Sequence, residues 1–411
     1  MAKTLWGKVY YQDIYAGRLQ EEPGGRVVFT YDAHYIQEKQ PSIAHTLPLR
    51  PEPFICERGL HPFFDNLVAE GWFCNAQAKA LRINPQNRFA LLLGFGHDLA
   101  GAVSVIDPEP QEHYQLDHAD DATVAALLGR ASISGVQRKL LVVNEGSEFR
   151  PVKSNELSTH IAKLASGDLR NILELEFLTT LAVRELLPHD EVVKMEIVTL
   201  PFIHEKALII PRFDRSATGK RLYHFEEFNQ LLGRFSGNEK YDGGYEEMGQ
   251  FILNTPGCIP AEADKLFQRI LACLLVGNTD AHFKNFAMFH TCDGLRLTPI
   301  YDLVASSIYD YQHIALNIGN IRNMAIGKLK AKHLLAMGKG FGIKDEAVVS
   351  VIEILGKQLQ KALEAVAKST VGTPLLRKKL IEKMEKRWKG SFALTGQRLL
   401  KKQNKDGAHK G

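Results

Sequence analysis

An apolar stretch that runs directly into a compact polar cluster constrains this chain more than any other feature. The apolar residues cover 270–276 and are followed by Gly277. The cluster then reads Asn278-Thr279-Asp280-Ala281-His282-Phe283-Lys284-Asn285. A glycine after an apolar helical stretch is a common signal for a helix C-terminus. We therefore expect a buried helix that ends at Gly277 and leads into one loop of acidic, amide and basic side chains.

Two residues of this cluster have the spacing of a protein-kinase catalytic loop. Asp280 and Asn285 are five residues apart, which matches the D-x-x-x-x-N pattern of such loops. In that arrangement the carboxylate accepts the proton of an attacking hydroxyl group, and the amide oxygen binds Mg²⁺. The pattern predicts that Asp280 is a catalytic base and that Asn285 is a metal ligand.

The residues after the cluster predict a β-hairpin that returns to it. The apolar stretch 286–289 and the segment Leu295-Arg296-Leu297-Thr298-Pro299-Ile300 flank the turn residues Cys292-Asp293-Gly294. This hairpin would bring Asp302 back beside Asn285, and kinases place a second metal-binding aspartate after a similar hairpin. Carboxylate, amide and phosphate oxygens suit Mg²⁺. The sequence therefore favours phosphoryl transfer.

The histidines near the cluster leave a metallohydrolase as an alternative, built on His282 and His290. No HExxH or CxxC motif is present to complete such a zinc site. His282 is therefore interpreted as a structural residue or as one that orients Asp280. Lys284 either neutralises the charge of the transferred phosphate or pairs with a carboxylate, and its spacing does not decide between the two.

A segment of small residues before a β-run is a candidate phosphate-binding turn. It reads Ser132-Ile133-Ser134-Gly135-Val136-Gln137-Arg138-Lys139. Backbone N–H groups of such a turn can hold phosphates, which makes Ser134, Gly135, Val136 and Gln137 candidate nucleotide ligands. The segment matches neither the Walker A pattern nor GxGxxG.

Three further positions in the β-rich region fit a nucleotide site. Lys163, on a predicted strand, could reach the α- and β-phosphates. Glu176, on the following helix, either pairs with Lys163, as in the Lys–Glu ion pair of kinases, or is a surface charge. Pro211-Arg212-Phe213-Asp214 falls at the position of a kinase hinge, where backbone groups meet adenine.

The distribution of strand, turn and helix signals along the sequence predicts three parts of the chain. Residues 1–118 contain short strands with expected turns at Gly17 and at Pro23-Gly24-Gly25, and they end in a polar, proline-rich linker. Residues 119–215 are β-rich with one internal helix, and residues 216–411 are mainly helical. Helices in this last part are expected at 225–235, 261–275 and 330–337, and from 346 onward.

This order of elements predicts an α+β protein. We expect a two-lobed, protein-kinase-like fold with a β-rich N-lobe and an α-helical C-lobe, preceded by an N-terminal α/β subdomain. A ligand site between two lobes is a reasonable expectation for such an arrangement.

Composition indicates an intracellular protein. No uncharged apolar run of about 18 residues is present, which argues against a membrane-spanning helix, and the start of the chain lacks the apolar region of a secretory signal. The five cysteines lie far apart and form no CxxC pair, which suits reduced thiols. We expect a cytoplasmic location and no membrane contact.

The charge of the chain is unevenly distributed. The formal net charge is +4, yet residues 377–411 carry twelve Lys or Arg and only three Asp or Glu. A basic segment of this kind either contacts nucleic acid or an acidic partner, or is a solvated helical terminus that keeps the chain in solution.

Five segments of the sequence match the motifs of one known family, in that family's order. They are the segments 132–139, Thr159-His160-Ile161-Ala162-Lys163, Arg212-Phe213-Asp214-Arg215, 278–286 and Leu297-Thr298-Pro299-Ile300-Tyr301-Asp302. Between residues 130 and 305 the sequence thus resembles the HipA family of serine/threonine kinase toxins, and residues 1–118 resemble the small subdomain that precedes the kinase core in full-length members.

The resemblance implies roles for these residues. Asp280 would be the catalytic base, Asn285 and Asp302 would bind Mg²⁺, Lys163 would bind ATP phosphates, and the backbone around Phe213 would meet adenine. His282 and Lys284 would also contribute to the ATP site. The family phosphorylates a serine of its own glycine-containing loop, and Ser132 and Ser134 both match serines that members modify. Phosphorylation there would repel ATP, because it adds about −1.5 to −2 charges.

The resemblance also implies a cellular role. The chain would be a Mg-ATP-dependent serine kinase and the toxin of a toxin–antitoxin pair, with an aminoacyl-tRNA synthetase, such as the glutamyl or tryptophanyl enzyme, as target. A HipB-like helix-turn-helix antitoxin, bound to operator DNA, would be its partner. Two alternatives remain, a lipid or small-molecule kinase on the same scaffold and a non-catalytic corepressor with a kinase fold, since a fold does not fix a substrate.

Overall fold

The structure is a computed structural model of the chain. The described residues are 4–110, 119–128, 132, 137–146, 148–153 and 156–392. Within them, the contacts divide the chain into two compact units, each of which combines two stretches. The first unit contains residues 1–167 and 194–240, and the second contains residues 168–193 and 241–411.

The elements are numbered in chain order. The strands are β1 (Trp6–Tyr11), β2 (Ile14–Glu22), β3 (Arg26–Tyr31), β4 (Phe54–Cys56), β5 (Val103–Ile106), β6 (Lys139–Glu145), β7 (Glu148–Pro151), β8 (His160–Leu164), β9 (Glu196–Leu200), β10 (Glu205–Pro211), β11 (His224–Glu227), β12 (Ala287–Thr291) and β13 (Gly294–Leu297).

The helices are numbered in the same way. The α-helices are α1 (Ala33–Gln37), α2 (Pro62–Asp65), α3 (Gly71–Leu81), α4 (Arg88–Phe95), α5 (Asp121–Leu128), α6 (Ile172–Leu186), α7 (Phe228–Leu231), α8 (Tyr245–Asn254), α9 (Ala261–Val276), α10 (Ala331–Gly340), α11 (Asp345–Lys368) and α12 (Pro374–Arg387). Short 3-10 helices cover Gly237–Tyr241, Phe283–Asn285, Ser306–Tyr309 and Ile326–Lys328, and a π-helical turn covers Trp388–Phe392.

The first unit begins with an antiparallel sheet in the order β4-β3-β2-β1-β5. In β3 the buried residues alternate with more exposed ones, which is the pattern of a strand with one face on a core. The turn expected at Gly17 is wrong, because Gly17 lies inside β2 and pairs with Val9 and Tyr31. The backbone of β3 approaches Gly17 so closely that a side chain would collide with the Thr30 carbonyl, so glycine serves close packing there.

A second sheet of the same unit has the order β7-β6-β8-β10-β9. The strands β6, β8 and β10 lie in the part of the chain that the sequence predicts to be β-rich, and β8 is the strand predicted to carry Lys163. Strand β8 lies between β6 and β10, and Lys163 stands opposite Lys139 on one side and Leu208 on the other. Pairing with a strand on each side fixes the position of Lys163 along β8 relative to its neighbours.

The helix expected at 225–235 is wrong. Its first residues form β11, and only the short helix α7 follows. His224 and Glu226 are buried in β11 while their neighbours are half-buried, so the inward positions of this strand are polar. A hydrophobicity pattern cannot show a period of two when buried positions are polar.

The second unit is mainly helical. The helices expected at 261–275 and 330–337 are confirmed as α9 and α10, and the region after 346 contains α11 and α12. The hairpin expected after the polar cluster is also confirmed, since β12 pairs with β13 from Met288 opposite Leu297 to Thr291 opposite Gly294. None of the helices among the described residues combines the length and apolar character needed to cross a bilayer.

Candidate active site

Helix α9 ends at Val276, directly before the predicted glycine, and leads into the polar loop. Gly277 follows its last residue with φ +86°, a left-handed conformation that glycine adopts without strain. The N–H groups of Gly277 and Asn278 both donate to the Cys273 carbonyl, at 3.0 and 2.9 Å. The chain therefore turns sharply at the start of the cluster, and residues 278–285 form one compact loop.

Hydrogen bonds within this loop join Asp280 to Asn285. The Asn285 side-chain amide donates to the Asp280 carbonyl at 3.3 Å, and the Asp280 N–H donates to Oδ1 of Asn278 at 3.1 Å. Since the NH₂ group of Asn285 is held in this way, its amide oxygen is the atom that could serve a cation. The five-residue spacing thus brings the two side chains into one loop, as the sequence predicts.

His282 has a structural role inside the loop. Its Nδ1 accepts the N–H of Lys284 at 3.3 Å and so caps the 3-10 helix Phe283–Asn285. The N–H of His282 donates to the Asp280 carbonyl at 2.8 Å. A capping histidine accounts for this residue without a zinc ion.

The hairpin returns the segment around Asp302 to the loop. The Asn278 side-chain amide donates to the Asp302 carbonyl at 3.4 Å, and the Tyr301 hydroxyl donates to the Lys284 carbonyl at 2.8 Å. The N–H of Thr279 donates to Oγ of Ser306 at 2.9 Å. These bonds bring Asp302 into the neighbourhood of Asn285, and the oxygen donors of the two side chains fit a hard cation such as Mg²⁺.

Burial differs sharply within the loop. Asp280 is exposed, whereas its polar neighbours are buried, namely Asn278, Thr279, His282, Lys284 and Asn285. A base that receives a proton from a second molecule must be accessible, while the groups that hold it in place need rigid surroundings. The loop has this distribution.

Two tyrosines that the sequence analysis missed contact the loop. The Tyr241 hydroxyl donates to Oδ1 of Asp280 at 2.9 Å, and its ring meets the His282 ring edge-on at 5.0 Å. The Tyr245 hydroxyl donates to the Ala281 carbonyl at 2.9 Å. Burial raises the pKa of Tyr245 well above its usual range, so this phenol stays a donor. No local spacing signals these contacts, since Tyr241 precedes Asp280 by 39 residues.

An arginine of helix α12 contacts the C-terminal end of helix α9, from which the loop departs. Arg387 donates to the Leu275 carbonyl at 3.2 Å and to Oγ of Ser307 at 2.6 Å. Burial lowers the pKa of Arg387 to about 10, so it is still charged at neutral pH. A cation at the C-terminus of a helix is favoured by the helix dipole. Arg387 therefore stabilises the end of α9 from which the loop departs.

The candidate phosphate-binding residues lie in the first unit. Lys163 is 6% exposed on β8, and the Gln137 side chain donates to the Leu164 carbonyl at 3.2 Å. Ser132 is buried and its N–H donates to the Asp98 carbonyl at 3.2 Å. Residues 133–136 of this segment, which include Ser134, Gly135 and Val136, lie outside the described part of the chain.

The segment proposed to meet adenine follows β10. Pro211 ends that strand, and the Arg212 N–H donates to the Thr159 carbonyl at 2.9 Å. The ring of Phe213 is half-buried and meets Phe225 edge-on at 5.0 Å. The side chains of Arg212 and Asp214 bond each other, with Nη2 and Oδ2 2.7 Å apart.

Glu176 is fully buried on helix α6 of the second unit. A buried carboxylate at this helix position is not the surface charge that the sequence left open as an alternative. Its pairing with Lys163, which belongs to the first unit, stays a prediction.

Two family models match successive parts of the chain. The family model described as the HipA-like C-terminal domain matches residues 131–366, and that of the HipA N-terminal domain matches residues 7–106. The Shewanella oneidensis protein named serine/threonine-protein kinase toxin HipA is 26% identical over 407 residues, which cover 89% of this chain and 90% of that protein. The Sinorhizobium fredii protein Y4dM, another relative named as a kinase, is 29% identical over 76% of this chain and 80% of its own length.

A solved structure extends the likeness to the fold. HipA in the Shewanella oneidensis complex of HipA, HipB and operator DNA matches with a TM-score of 0.76 at 23% sequence identity, over 95% of this chain and 99% of the solved chain. The α+β, protein-kinase-like fold expected from the sequence is thereby confirmed. Because the C-terminal family model alone spans more than half of the chain, and the N-terminal model precedes it in the family's order, the chain belongs to the HipA family of kinases.

Proposed function

We propose that this protein is a Mg-ATP-dependent serine/threonine protein kinase. The observation that carries the proposal is the exposed carboxylate of Asp280, held in a buried loop that also contains Asn285 and to which the Asp302 segment returns. A loop of this kind presents one accessible base beside two oxygen ligands for a cation. That combination suits transfer of the γ-phosphoryl group of ATP to a hydroxyl.

Asp280 acts on the acceptor. Its carboxylate takes the proton of the acceptor hydroxyl while the acceptor oxygen forms a bond to the γ-phosphorus and the bond to the ADP oxygen breaks. The Asn285 amide oxygen and the Asp302 carboxylate would hold Mg²⁺, which neutralises phosphate charge when bound. Lys284, in the same loop, is placed by its backbone bonds to His282 and Tyr301 and adds positive charge beside the base.

Most of the groups proposed for the nucleotide belong to the first unit. The backbone of Ser134–Gln137 holds phosphates, Lys163 neutralises them, and Glu176 pairs with Lys163. The backbone of Pro211–Asp214 meets adenine, with Phe213 as the apolar contact, and His282 completes the ATP site. The burial of Lys163 and Glu176 supports this assignment, because a buried charge needs an opposite partner.

Autophosphorylation on Ser132 or Ser134 is the proposed means of control. Ser132 is only 2% exposed, so its hydroxyl must leave its present position before it accepts a phosphoryl group. The phosphate that it then carries adds about −1.5 to −2 charges. This charge opposes the phosphates of a second ATP, so the modified enzyme is silenced.

The cellular role proposed for this kinase is that of a toxin. A HipB-like helix-turn-helix antitoxin is the proposed partner, with operator DNA bound through it, and an aminoacyl-tRNA synthetase, glutamyl or tryptophanyl, is the proposed target. Support comes from the relative named as a kinase toxin and from the solved HipA complex, which contains HipB and operator DNA.

Growth inhibition on induced expression tests the toxin proposal. The unmodified chain should arrest growth, and Asp280→Asn, which keeps the shape of the side chain and removes its basicity, should not. Both proteins must accumulate to the same level, as judged by immunoblot. Arrest by the Asn variant would contradict the proposal, and label from ATP found in lipid instead of protein would favour a lipid kinase.

A further inference from the structure

Two carboxylates and two guanidinium groups form a buried cluster in the first unit. The residues are Asp98, Arg212, Asp214 and Arg215, none of which is more than 7% exposed. The first follows helix α4, and the other three follow strand β10. The cluster therefore ties two parts of the chain that are more than a hundred residues apart in sequence.

The carboxylate of Asp98 is saturated by hydrogen bonds. Its Oδ1 accepts from Arg212 at 3.1 Å and from Arg215 at 2.9 Å. Its Oδ2 accepts both the N–H and the hydroxyl of Ser158, at 2.8 and 2.6 Å. Buried charges are stable only when every partner is in place, so this side chain can hardly move without breaking the cluster.

Asp214 closes the cluster on the other side. Its Oδ2 accepts from Arg212, from Arg215 and from the N–H of Gly101, each at 2.7 or 2.8 Å. Both arginines also donate to the Leu99 carbonyl, at 2.8 and 2.6 Å. Phe213 lies between Arg212 and Asp214 in the sequence. Because the side chains of both neighbours are fixed in the cluster, the backbone of Phe213 is held on both sides.

The backbone of Asp98 has a separate contact. Its carbonyl accepts the N–H of Ser132 at 3.2 Å, and Ser132 is buried. One residue therefore holds the Ser132 backbone with its carbonyl and the Arg212–Arg215 segment with its carboxylate. A shift of the Asp98 backbone would disturb both contacts together.

We propose that Asp98 is a positioning residue that couples the place of Ser132 to the conformation of the Arg212–Arg215 segment. Retention of Ser132 keeps the cluster intact, and release of Ser132 loosens the backbone around Phe213. The consequence for nucleotide binding rests on the proposed function, in which that backbone meets adenine. Such coupling is reciprocal, so a nucleotide that orders Phe213 also retains Ser132.

Hydrogen exchange of the nucleotide-free protein tests the coupling. Asp98→Asn removes one charge and keeps the shape of the side chain. We expect exchange to become at least about tenfold faster both in the peptide that contains Ser132 and in the peptide that contains 212–215. The dissociation constant of the non-hydrolysable analogue Mg-AMP-PNP should rise by a similar factor.

Asp65→Asn is the matched control. Asp65 is a buried carboxylate of the same unit that accepts from Arg88 and from the N–H of Ser236. This variant should lower the melting temperature without faster exchange in either peptide. Equal acceleration by both variants, or acceleration in only one of the two peptides in Asp98→Asn, would overturn the proposal.

Ser158→Ala replaces Asp98→Asn if that variant fails to fold. It removes one donor to Asp98 and one acceptor of Arg212 and leaves all four charges in place. Faster exchange in both peptides supports the coupling, and unchanged exchange overturns it. If the unmodified protein does not bind Mg-AMP-PNP, the proposed kinase function fails, and exchange alone decides the role of Asp98.

Discussion

Tyr241 contacts the carboxylate on which the proposed reaction depends. Its hydroxyl donates to Oδ1 of Asp280 and so favours one orientation of that side chain. We expect Tyr241→Phe to lower kcat about fivefold, which corresponds to the loss of one hydrogen bond of about 1 kcal/mol. The KM for ATP and the melting temperature should change little, because the hydroxyl is exposed. The measurement is ADP formation with a pyruvate kinase-coupled assay.

Tyr245→Phe is the contrasting variant for that prediction. The Tyr245 hydroxyl donates to the Ala281 carbonyl in a fully buried position. The lost bond leaves a buried carbonyl without its donor, which costs about 1–3 kcal/mol in the free energy of unfolding. A thermal melt should show the lower stability. Equal kcat values for Tyr241→Phe and the unmodified enzyme would refute the orienting role of Tyr241.

At the scale of single residues, the sequence predicts contacts between residues that are close along the chain and does not predict contacts between distant ones. Asp280, Asn285 and Asp302 could be predicted because a loop and one hairpin bring them together, and both elements have turn signals. Tyr241 and Arg387 reach the loop from distant parts of the chain. Such contacts arise from the packing of elements, which a spacing rule cannot describe.

Helix α12 is predicted to support the candidate catalytic loop through Arg387. Arg387→Gln removes the charge that faces the end of α9 and weakens the bond to Ser307. We expect a loss of about 1–2 kcal/mol in the free energy of unfolding. Urea denaturation measures this loss.

Hydrogen exchange separates that role from general destabilisation. In Arg387→Gln, exchange should become faster in the peptide that covers 278–285. Lys378→Gln, at an exposed position of the same helix, should change neither quantity. Unchanged exchange of the loop in Arg387→Gln would show that α12 does not hold it.

Elements with strong amphipathic patterns could be predicted within a few residues. Helix α9 begins at the expected residue and extends by one residue beyond the expected end. Strand β11 could not be predicted from such a pattern, because its buried positions are the polar residues His224 and Glu226. Gly17 misled in the opposite way, since a glycine that permits close strand packing looks the same in sequence as a turn glycine.

For the whole molecule, the buried charge cluster predicts a loss of stability in acid. Burial alone would raise the pKa of Asp98, but the attraction of Arg212 and Arg215 outweighs it and holds that pKa well below the ordinary value of 3.8. The unfolded chain therefore binds a proton at a higher pH than the folded chain does. The stabilisation is complete above about pH 5 and is lost progressively as the pH falls below 4.

Asp98→Asn isolates this contribution. Its free energy of unfolding should be lower than that of the unmodified protein at pH 7 and should fall less steeply between pH 5 and pH 3. Urea denaturation at several pH values gives both slopes. Parallel slopes for the two proteins would show that Asp98 does not contribute to the acid sensitivity.

The fold class follows from the order of β-rich and helical segments, but the grouping of those segments does not. The compact units each combine two stretches of chain, because α6 belongs with the later helices and β9–β11 belong with the earlier strands. This grouping of distant segments depends on which surfaces pack together. The domain boundaries expected near residues 118 and 215 stay predictions.

Phosphosite mass spectrometry shows whether this protein transfers phosphate from ATP and whether Asp280 is required. The purified protein and its Asp280→Asn variant would be incubated with Mg-ATP, and every serine-containing peptide would be examined. We expect phosphate on Ser132 or Ser134 in the unmodified protein and none in the variant. Equal phosphorylation of both proteins would contradict the role of Asp280, and the absence of phosphate and of ATP binding in the unmodified protein would contradict the kinase itself.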